Sequence, residues 1–458
     1  MFPAILSRRR QKDLDMREQA SHEHYINSSS ISPRRVWDLY SNRVLPYYAL
    51  PPHPSTHIPH NVWTVSHSWL DEADRTPVLT AINGNAWPVP LPRGTSLDHI
   101  RVELLNMGAE YVWLDVLCLR QRGRPEDEAV RIEEWRLDIP TIGHTYSLLD
   151  VPCVTYFNGL GLPFDPSSTA LKSKRHWLNR VWALQETTTC WLPGGATGAV
   201  SPAVTSFFHN HWGLIVCFGD VWELVRAIAE LQRRHCDNEL DRISALAYTV
   251  RCRTLPVYSE QQPLEDAWAI LIKHLPPYIR GLIFLRSVEE HPSQLALWPS
   301  WAQFLKLDVS WHPKAWTTRG AEPIYLVHDA LLETASEGQY YQRLYSMGVY
   351  RMERLASVGT AGSRNFTIRS RDGSVRVHET RGVVGGRISA GRDYLLLKLI
   401  DRVWLAVLRV GGGNVRGEKV EALEVIKEGC IVFRSPPPEL PGQDIVVTYR
   451  SVDVGVRD

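Results

Sequence analysis

The sequence predicts an α/β domain built on a parallel sheet, followed by a mainly helical region and a β-rich C-terminal domain. Three observations carry that prediction. Short apolar, β-branched runs alternate with helical patterns between Val62 and Thr188, as parallel strands with crossover helices do. Helical periodicity then continues to about Leu275. From about Ser310, alternating runs separated by glycine-rich turns take over, suggesting a small sandwich or barrel. At 458 residues the chain is too long for one ordinary core. The shifts in pattern divide it into an N-terminal extension (1–58), the α/β domain (59–192), the helical region (193–308) and the β-rich domain (309–458).

The elements follow in order. The extension carries scattered charge, and Pro51, Pro52 and Pro54 break its regularity, so it is expected to wrap on the next domain. Val62 to His67 is a first strand. Two strand-like pieces between Pro77 and Pro92 flank Asn83-Gly84, a strong hairpin signal. Thr95 or Ser96 offers an N-cap for a helix with Leu97, Ile100, Leu104 and Met107 inward, closed by Gly108. Tyr111 to Leu119 reads as a strand buried on both faces. A polar helix spans Glu126 to Ser147, where Pro140 must kink or break it. Val151 to Phe157 is a third strand, and Trp177 to Thr188 is a helix. Further helices are expected over Asp220–Arg234, Asp241–Arg251 and Leu264–Leu275. Gly411-Gly412-Gly413 reads as a hairpin loop, since neither a helix start nor Lys-Ser/Thr follows it.

Composition excludes several function classes. With 51 basic and 50 acidic residues the formal charge is +1, which gives no electrostatic case for nucleic acid or an acidic membrane surface. Other proteins or small molecules are the expected partners. No run of about 18 uncharged apolar residues is present to span a bilayer, and Met1 to Lys12 lacks the apolar core of a secretory signal. Seven cysteines, an odd number without CxxC, point to reduced thiols in a cytoplasmic setting. Metal chemistry is not expected: His209 and His211 lie in a loop, with no HExxH and no paired cysteines. Cys118 is a poor nucleophile, because Leu117 and Leu119 would desolvate its thiolate. No GxSxG elbow supports serine catalysis.

One carboxylate stands out. On a helix over 177–186, Trp177, Leu178, Val181, Trp182 and Leu184 share an apolar arc, and Glu186 falls one turn after Trp182 at its edge. Helical geometry alone favours a solvated glutamate there. In open parallel sheets, however, ligands bind beyond the carboxyl ends of the strands. Those ends are Ser66 to Trp69, Asp115 to Gln121, and Phe157 to Gly161, all converging on the edge that carries Glu186.

Val-Ser-His-Ser-Trp (65–69), Val-Trp-Leu-Asp-Val-Leu-Cys-Leu-Arg-Gln (112–121), the 126–146 helix and Asn-Arg-Val-Trp-Ala-Leu-Gln-Glu (179–186) resemble the fungal heterokaryon incompatibility (HET) domain in order and spacing. The resemblance covers about residues 60–190, and the segments 32–39 and 240–305 look like the large HET-domain proteins of mushroom-forming fungi. HET domains are in turn similar to TIR domains, which have a flavodoxin-like fold. Trp182 and Glu186 resemble the Trp-x-x-x-Glu spacing that carries the catalytic glutamate of NAD-cleaving TIR members. The TIR cysteine after that tryptophan is Ala183 here, and the Asn83-Gly84 hairpin has no TIR counterpart, which leaves the pocket shape open.

The family implies nonself recognition and regulated cell death, and it leaves two mechanisms open. In the first, the protein cleaves NAD as a substrate, without any cofactor, when assembled with other copies. Glu186 would then be catalytic, and Ser66, His67, Trp69, Asp115 and Trp182 would line the substrate site. A single carboxylate is enough in principle, because nicotinamide leaves as a neutral group and the transition state is an oxocarbenium ion. In the second, the protein is a noncatalytic death-signalling scaffold. Glu186 would then sit in an ion pair with an arginine.

Overall fold

The computed structural model describes residues 2–50, 62–147, 152–186, 190–195, 204–207, 223–286, 298–307, 333–336, 339–357, 364–369, 375–384, 391–400, 403–414, 421–433 and 443–449. The chain divides into two compact units, 1–274 and 275–458. The helical stretches up to His274 therefore belong to the same unit as the sheet. This division coincides with neither of the boundaries expected after 192 and 308.

The first unit contains strands β1 (Tyr25–Ile26), β2 (Arg35–Asp38), β3 (Arg43–Pro46), β4 (Val62–His67), β5 (Arg75–Val78), β6 (Val89–Pro92), β7 (Tyr111–Leu114), β8 (Cys153–Tyr156), β9 (Trp191–Pro193) and β10 (Leu255–Pro256). Its helices include α1 (Phe2–Ala20), α2 (Leu97–Asn106), α3 (Asp115–Cys118), α4 (Glu128–Asp138), α5 (Ile142–Ser147) and α6 (Ser168–Lys172). Six strands form one sheet in the order β3-β2-β7-β4-β8-β9. The pairings β4–β7, β4–β8 and β8–β9 are parallel, and the β2–β3 hairpin adds antiparallel to β7. The mostly parallel sheet thus confirms the α/β class. The extension contributes two of its strands.

β4 is the central strand because its residues suit burial on both faces. Val65 and Ser66 are fully buried and Thr64 nearly so, as expected for a strand with parallel neighbours on each side. The register sets Val65 beside Leu114 and Val154, so the three strands end at nearly the same level. From β4 the chain moves first to β7 on one side and then to β8 on the other. That reversal is the switch point at which an open α/β sheet leaves a crevice.

The crossovers follow local rules. Ser96 caps α2 by accepting from His99 N–H at 3.2 Å, and Gly108 takes φ 97° after the helix, where a side chain would be strained. Pro140 separates α4 from α5. Tyr146 of α5 donates to the Val65 carbonyl at 3.1 Å and meets Trp113 edge to face, which fixes α5 against the sheet. β5 and β6 do pair, but they are joined by a longer connection containing a 3-10 turn at Ala81–Asn83, with Gly84 and Asn85 both left-handed. At the N-terminus, Arg17 of α1 and Arg34 both bond the buried Asp138 of α4, at 3.2 and 2.7 Å. Helices at Glu223–Arg233, Leu240–Thr249 and Leu264–His274 complete the unit, while Asp220 lies outside the described residues.

The second unit holds helices Pro277–Arg286 and Trp301–Phe304 and one eight-stranded sheet running from Glu333–Ser336 to Gln443–Tyr449. Its strand order returns on itself, since Gln339–Ser357 pairs with both Arg364–Arg369 and Asp393–Ile400. The triplet Gly411-Gly412-Gly413 is not a hairpin loop. It lies within the strand Val403–Asn414, paired with Glu424, Leu423 and Ala422 after a register shift at Arg409/Gly411. Glycine at a bulge keeps the ladder going where the sequence suggests a turn.

Gly143 of α5 lies against Tyr248 so closely that a methyl group there would overlap the ring, and the phenol is pinned by Ser147 at 3.0 Å. Gly143→Ala is therefore expected to cost about 1–3 kcal/mol of stability, read as a lowered urea midpoint at constant slope.

Candidate functional site

The site is built at the carboxyl ends of β4 and β7. Ser66 and His67 close β4, and Asp115 begins α3 directly after β7. The apolar run expected as one strand to Leu119 stops at Leu114, because Asp115 turns its carboxylate onto the next N–H: Val116 N–H donates to Oδ1 at 2.7 Å. That bond opens a helical turn.

The segment 177–186 is not the expected helix. It forms two 3-10 turns, Trp177–Asn179 and Trp182–Leu184, with Arg180 extended between them at φ −96° and ψ 140°. The backbone there is taken by a distant partner. His235 N–H donates to the Asn179 carbonyl at 2.6 Å, and Val181 N–H donates to the His235 carbonyl at 3.0 Å. Arg180 also pairs with Asp237 at 3.1 Å. Long-range pairing overrides the helical period here, yet Glu186 still arrives at the sheet edge.

Glu186 is half-buried, and its Oε2 accepts from two groups. Ser66 Oγ–H donates to it in a very short contact, and Trp177 Nε1–H lies 3.2 Å away, also 2.6 Å from Ser66 Oγ. Its Oε1 accepts no hydrogen bond from the described residues. No arginine or lysine among the described residues pairs with it; Arg180 is engaged by Asp237. Burial pushes the Glu186 carboxyl from 4.5 up to about 7. The Ser66 bond opposes that rise, the Asp115 charge adds to it, and His67 and Trp177 again oppose it.

Beside it lies a buried histidine–carboxylate pair. His67 Nε2 is 2.8 Å from Asp115 Oδ1, and His67 Nδ1 is 3.2 Å from the Ser68 carbonyl. Both neighbours are acceptors, so the doubly protonated ring satisfies both. Burial works against that charge, but the charge and hydrogen bond of Asp115, with the Ser68 carbonyl and the Glu186 charge, together hold the His67 pKa above its ordinary value. Trp69 Nε1–H donates to the other Asp115 oxygen at 3.0 Å, and its ring lies 5.5 Å from His67.

Five of the six residues expected at the site thus come together: Glu186 with Ser66, and His67 with Asp115 and Trp69. Trp182 faces a different set. Its indole lies beside Asp241 and lowers that carboxyl's pKa, and its ring lies 6.3 Å from Tyr258. The sequence reading missed Trp177 as a polar partner, because an indole on an apolar arc gives no sign that its N–H reaches a carboxylate. It also missed three groups that are buried without a partner among the described residues: Ser68 Oγ, Arg75 Nε and both amide atoms of Gln185. Buried polar atoms normally find partners. Cys118 is fully buried and its thiol is pushed up to about 12, too high for a nucleophile. His209 and His211 lie outside the described residues.

A carboxyl group titrating near neutrality beside a hydrogen-bonded histidine–carboxylate pair can stabilise a developing cation when ionised, or pass a proton to or from water. No protein-family model matches the chain, and neither a curated protein nor a solved structure matches it.

Because the folded pKa of Glu186 lies above 4.5, this carboxyl contributes stability that is complete below about pH 4.5 and lost as pH rises toward 7. Ser66→Ala removes a bond to the charged form, so it should move the Glu186 titration to higher pH. The infrared carboxyl band, assigned by its loss in Glu186→Gln, measures that midpoint.

Proposed function

We propose that this chain is a heterokaryon incompatibility-type protein of nonself recognition and regulated cell death, whose α/β domain acts in assembled form by hydrolysing NAD at the nicotinamide ribosyl bond. The observation that carries the reading is the seat of Glu186: a carboxylate free of any described arginine or lysine partner, at the carboxyl ends of parallel strands. The parallel strands β4, β7, β8 and β9 run in the order 2-1-3-4 across the sheet, which supports a flavodoxin-like, TIR-like reading of the domain.

The chemistry follows from charge. Breaking the bond between ribose C1′ and the pyridinium nitrogen sends the electron pair to nicotinamide, which leaves neutral and needs no acid. Positive charge then develops on C1′ and the ring oxygen. The ionised Glu186 opposes that charge in a site partly withdrawn from water, where the interaction is stronger than in solvent. Water adds to C1′ and releases its proton, for which Glu186 is a suitable first acceptor because it titrates near neutrality. Ser66 and Trp177 hold the carboxylate in place, and the His67–Asp115 pair lowers the cost of its charge through the imidazolium.

Purified protein with enforced oligomerisation should release nicotinamide from NAD. Glu186→Gln should lower kcat by about a hundredfold or more, the scale of losing one preorganised charged group. The wild-type rate should climb with pH through about 7, as Glu186 ionises. Equal release by the variant, or none from the assembled wild type, would leave the noncatalytic scaffold as the reading.

A further inference from the structure

Arg75, at the start of β5, is a cation without an anion. Its guanidinium lies 5.1 Å from the centre of the Trp69 ring, whose N–H holds Asp115 of the site. Its Nε is buried and has no acceptor, and no described carboxylate pairs with the group. The neighbouring charges do not neutralise it. Glu72, Asp71 and Asp237 attract it from a distance, while Arg175 repels it. Arg175 is itself held between Asp71 and Asp237, so those two carboxylates are committed elsewhere. Arg75 is half-buried, and partial burial holds its pKa below the usual arginine value, a direction that an adjacent carboxylate would reverse. Ser68 Oγ, on the residue before Trp69, is a second buried donor without an acceptor.

The buried Nε and the buried Ser68 Oγ each carry the cost of an unmade hydrogen bond, while the rest of the guanidinium remains open to a ligand. A guanidinium stacked on an aromatic face keeps its edges free, and those edges match two oxygens of a phosphate. We propose that Arg75, braced by Trp69, seats a phosphate group of the substrate, so that the site selects phosphorylated nucleosides over neutral ones. The proposal deepens the NAD reading and rests on it only for the reaction, not for the binding. Trp69 then has two tasks: its N–H orients Asp115, and its ring face supports the arginine.

The test compares wild type with Arg75→Gln and Arg75→Lys, each confirmed as folded by its thermal transition. Binding of ADP-ribose is measured by calorimetry, and cleavage of NAD is compared with cleavage of nicotinamide riboside, which carries no phosphate. In Arg75→Gln the ratio of kcat/KM for NAD to that for nicotinamide riboside should fall by about tenfold or more, through KM, and ADP-ribose should bind correspondingly more weakly; Arg75→Lys should recover only part of the loss, since it keeps the charge without the planar fork. If NAD is not cleaved but ADP-ribose binds and depends on Arg75, the phosphate seat stands and the hydrolase reading falls. If cleavage occurs with an unchanged substrate ratio in Arg75→Gln, the hydrolase reading stands and the phosphate seat falls. Absence of both cleavage and ADP-ribose binding overturns both.

Discussion

Parallel pairing of β4 on both of its edges is the constraint on which the rest of the first unit depends. It requires a strand whose two faces are covered, and this follows from Thr64, Val65 and Ser66 being withdrawn from water. It also aligns the ends of three strands, because Val65 sits level with both Leu114 and Val154. Once those ends are level, a side chain just past each one has the same crevice in reach. Ser66, His67 and Asp115 meet there for that reason, although the third is distant from the others in sequence. The antiparallel β2–β3 hairpin extends the sheet beyond β7 without disturbing this edge.

Within the crevice, burial and hydrogen bonding oppose each other over one proton. Desolvation raises Glu186 to about 7, and without Ser66, Trp177 and the His67 charge it would rise further. The opposing effects leave a carboxyl that is ionised in a substantial fraction of molecules near neutral pH. An arginine in contact would have lowered its pKa by about 1–3 units below an ordinary carboxylate and fixed the charge permanently. The pair His67–Asp115 is a milder device. Its positive ring is already engaged by its own carboxylate, so it favours the Glu186 charge without locking it in an ion pair.

What was legible in the sequence was local. The α2 boundaries follow from a serine cap and a glycine that can take positive φ, and the break between α4 and α5 follows from Pro140. The three parallel strands could be read from short apolar runs, and four of the six candidate site residues, Ser66, His67, Trp69 and Asp115, followed from where those runs end. The failures share a different origin. The 177–186 helix gives way because Asn179 and Val181 bond His235, far along the chain, and no local pattern reports that. Leu114 ends its strand because of one side-chain bond from Asp115 to the next residue. Trp182 keeps the expected spacing to Glu186, but spacing fixes direction only on a continuous helix. With the helix divided at Arg180, the indole lies toward Tyr258 and Asp241 instead. Similarly, nothing in the residue types marks Arg75 as unpaired; only the placement of its neighbours does.

The isolation of Glu186 is itself a product of how the surrounding charges are partitioned. Four arginines lie on the segments that frame it, and each has an anion or carbonyl of its own. Arg175 and Arg180 share Asp237, and Arg175 also holds Asp71. Arg233 and Arg234 share Glu230, and Arg234, fully buried, further donates to the Arg180 carbonyl at 3.1 Å. These ion pairs engage all four guanidinium groups, and none of the four pairs with Glu186. The structural ion pairs thus act at a distance on the chemistry: by keeping the arginines occupied, they leave Glu186 dependent on a hydroxyl, an indole and a histidine, all of which permit it to take up and release a proton near neutrality.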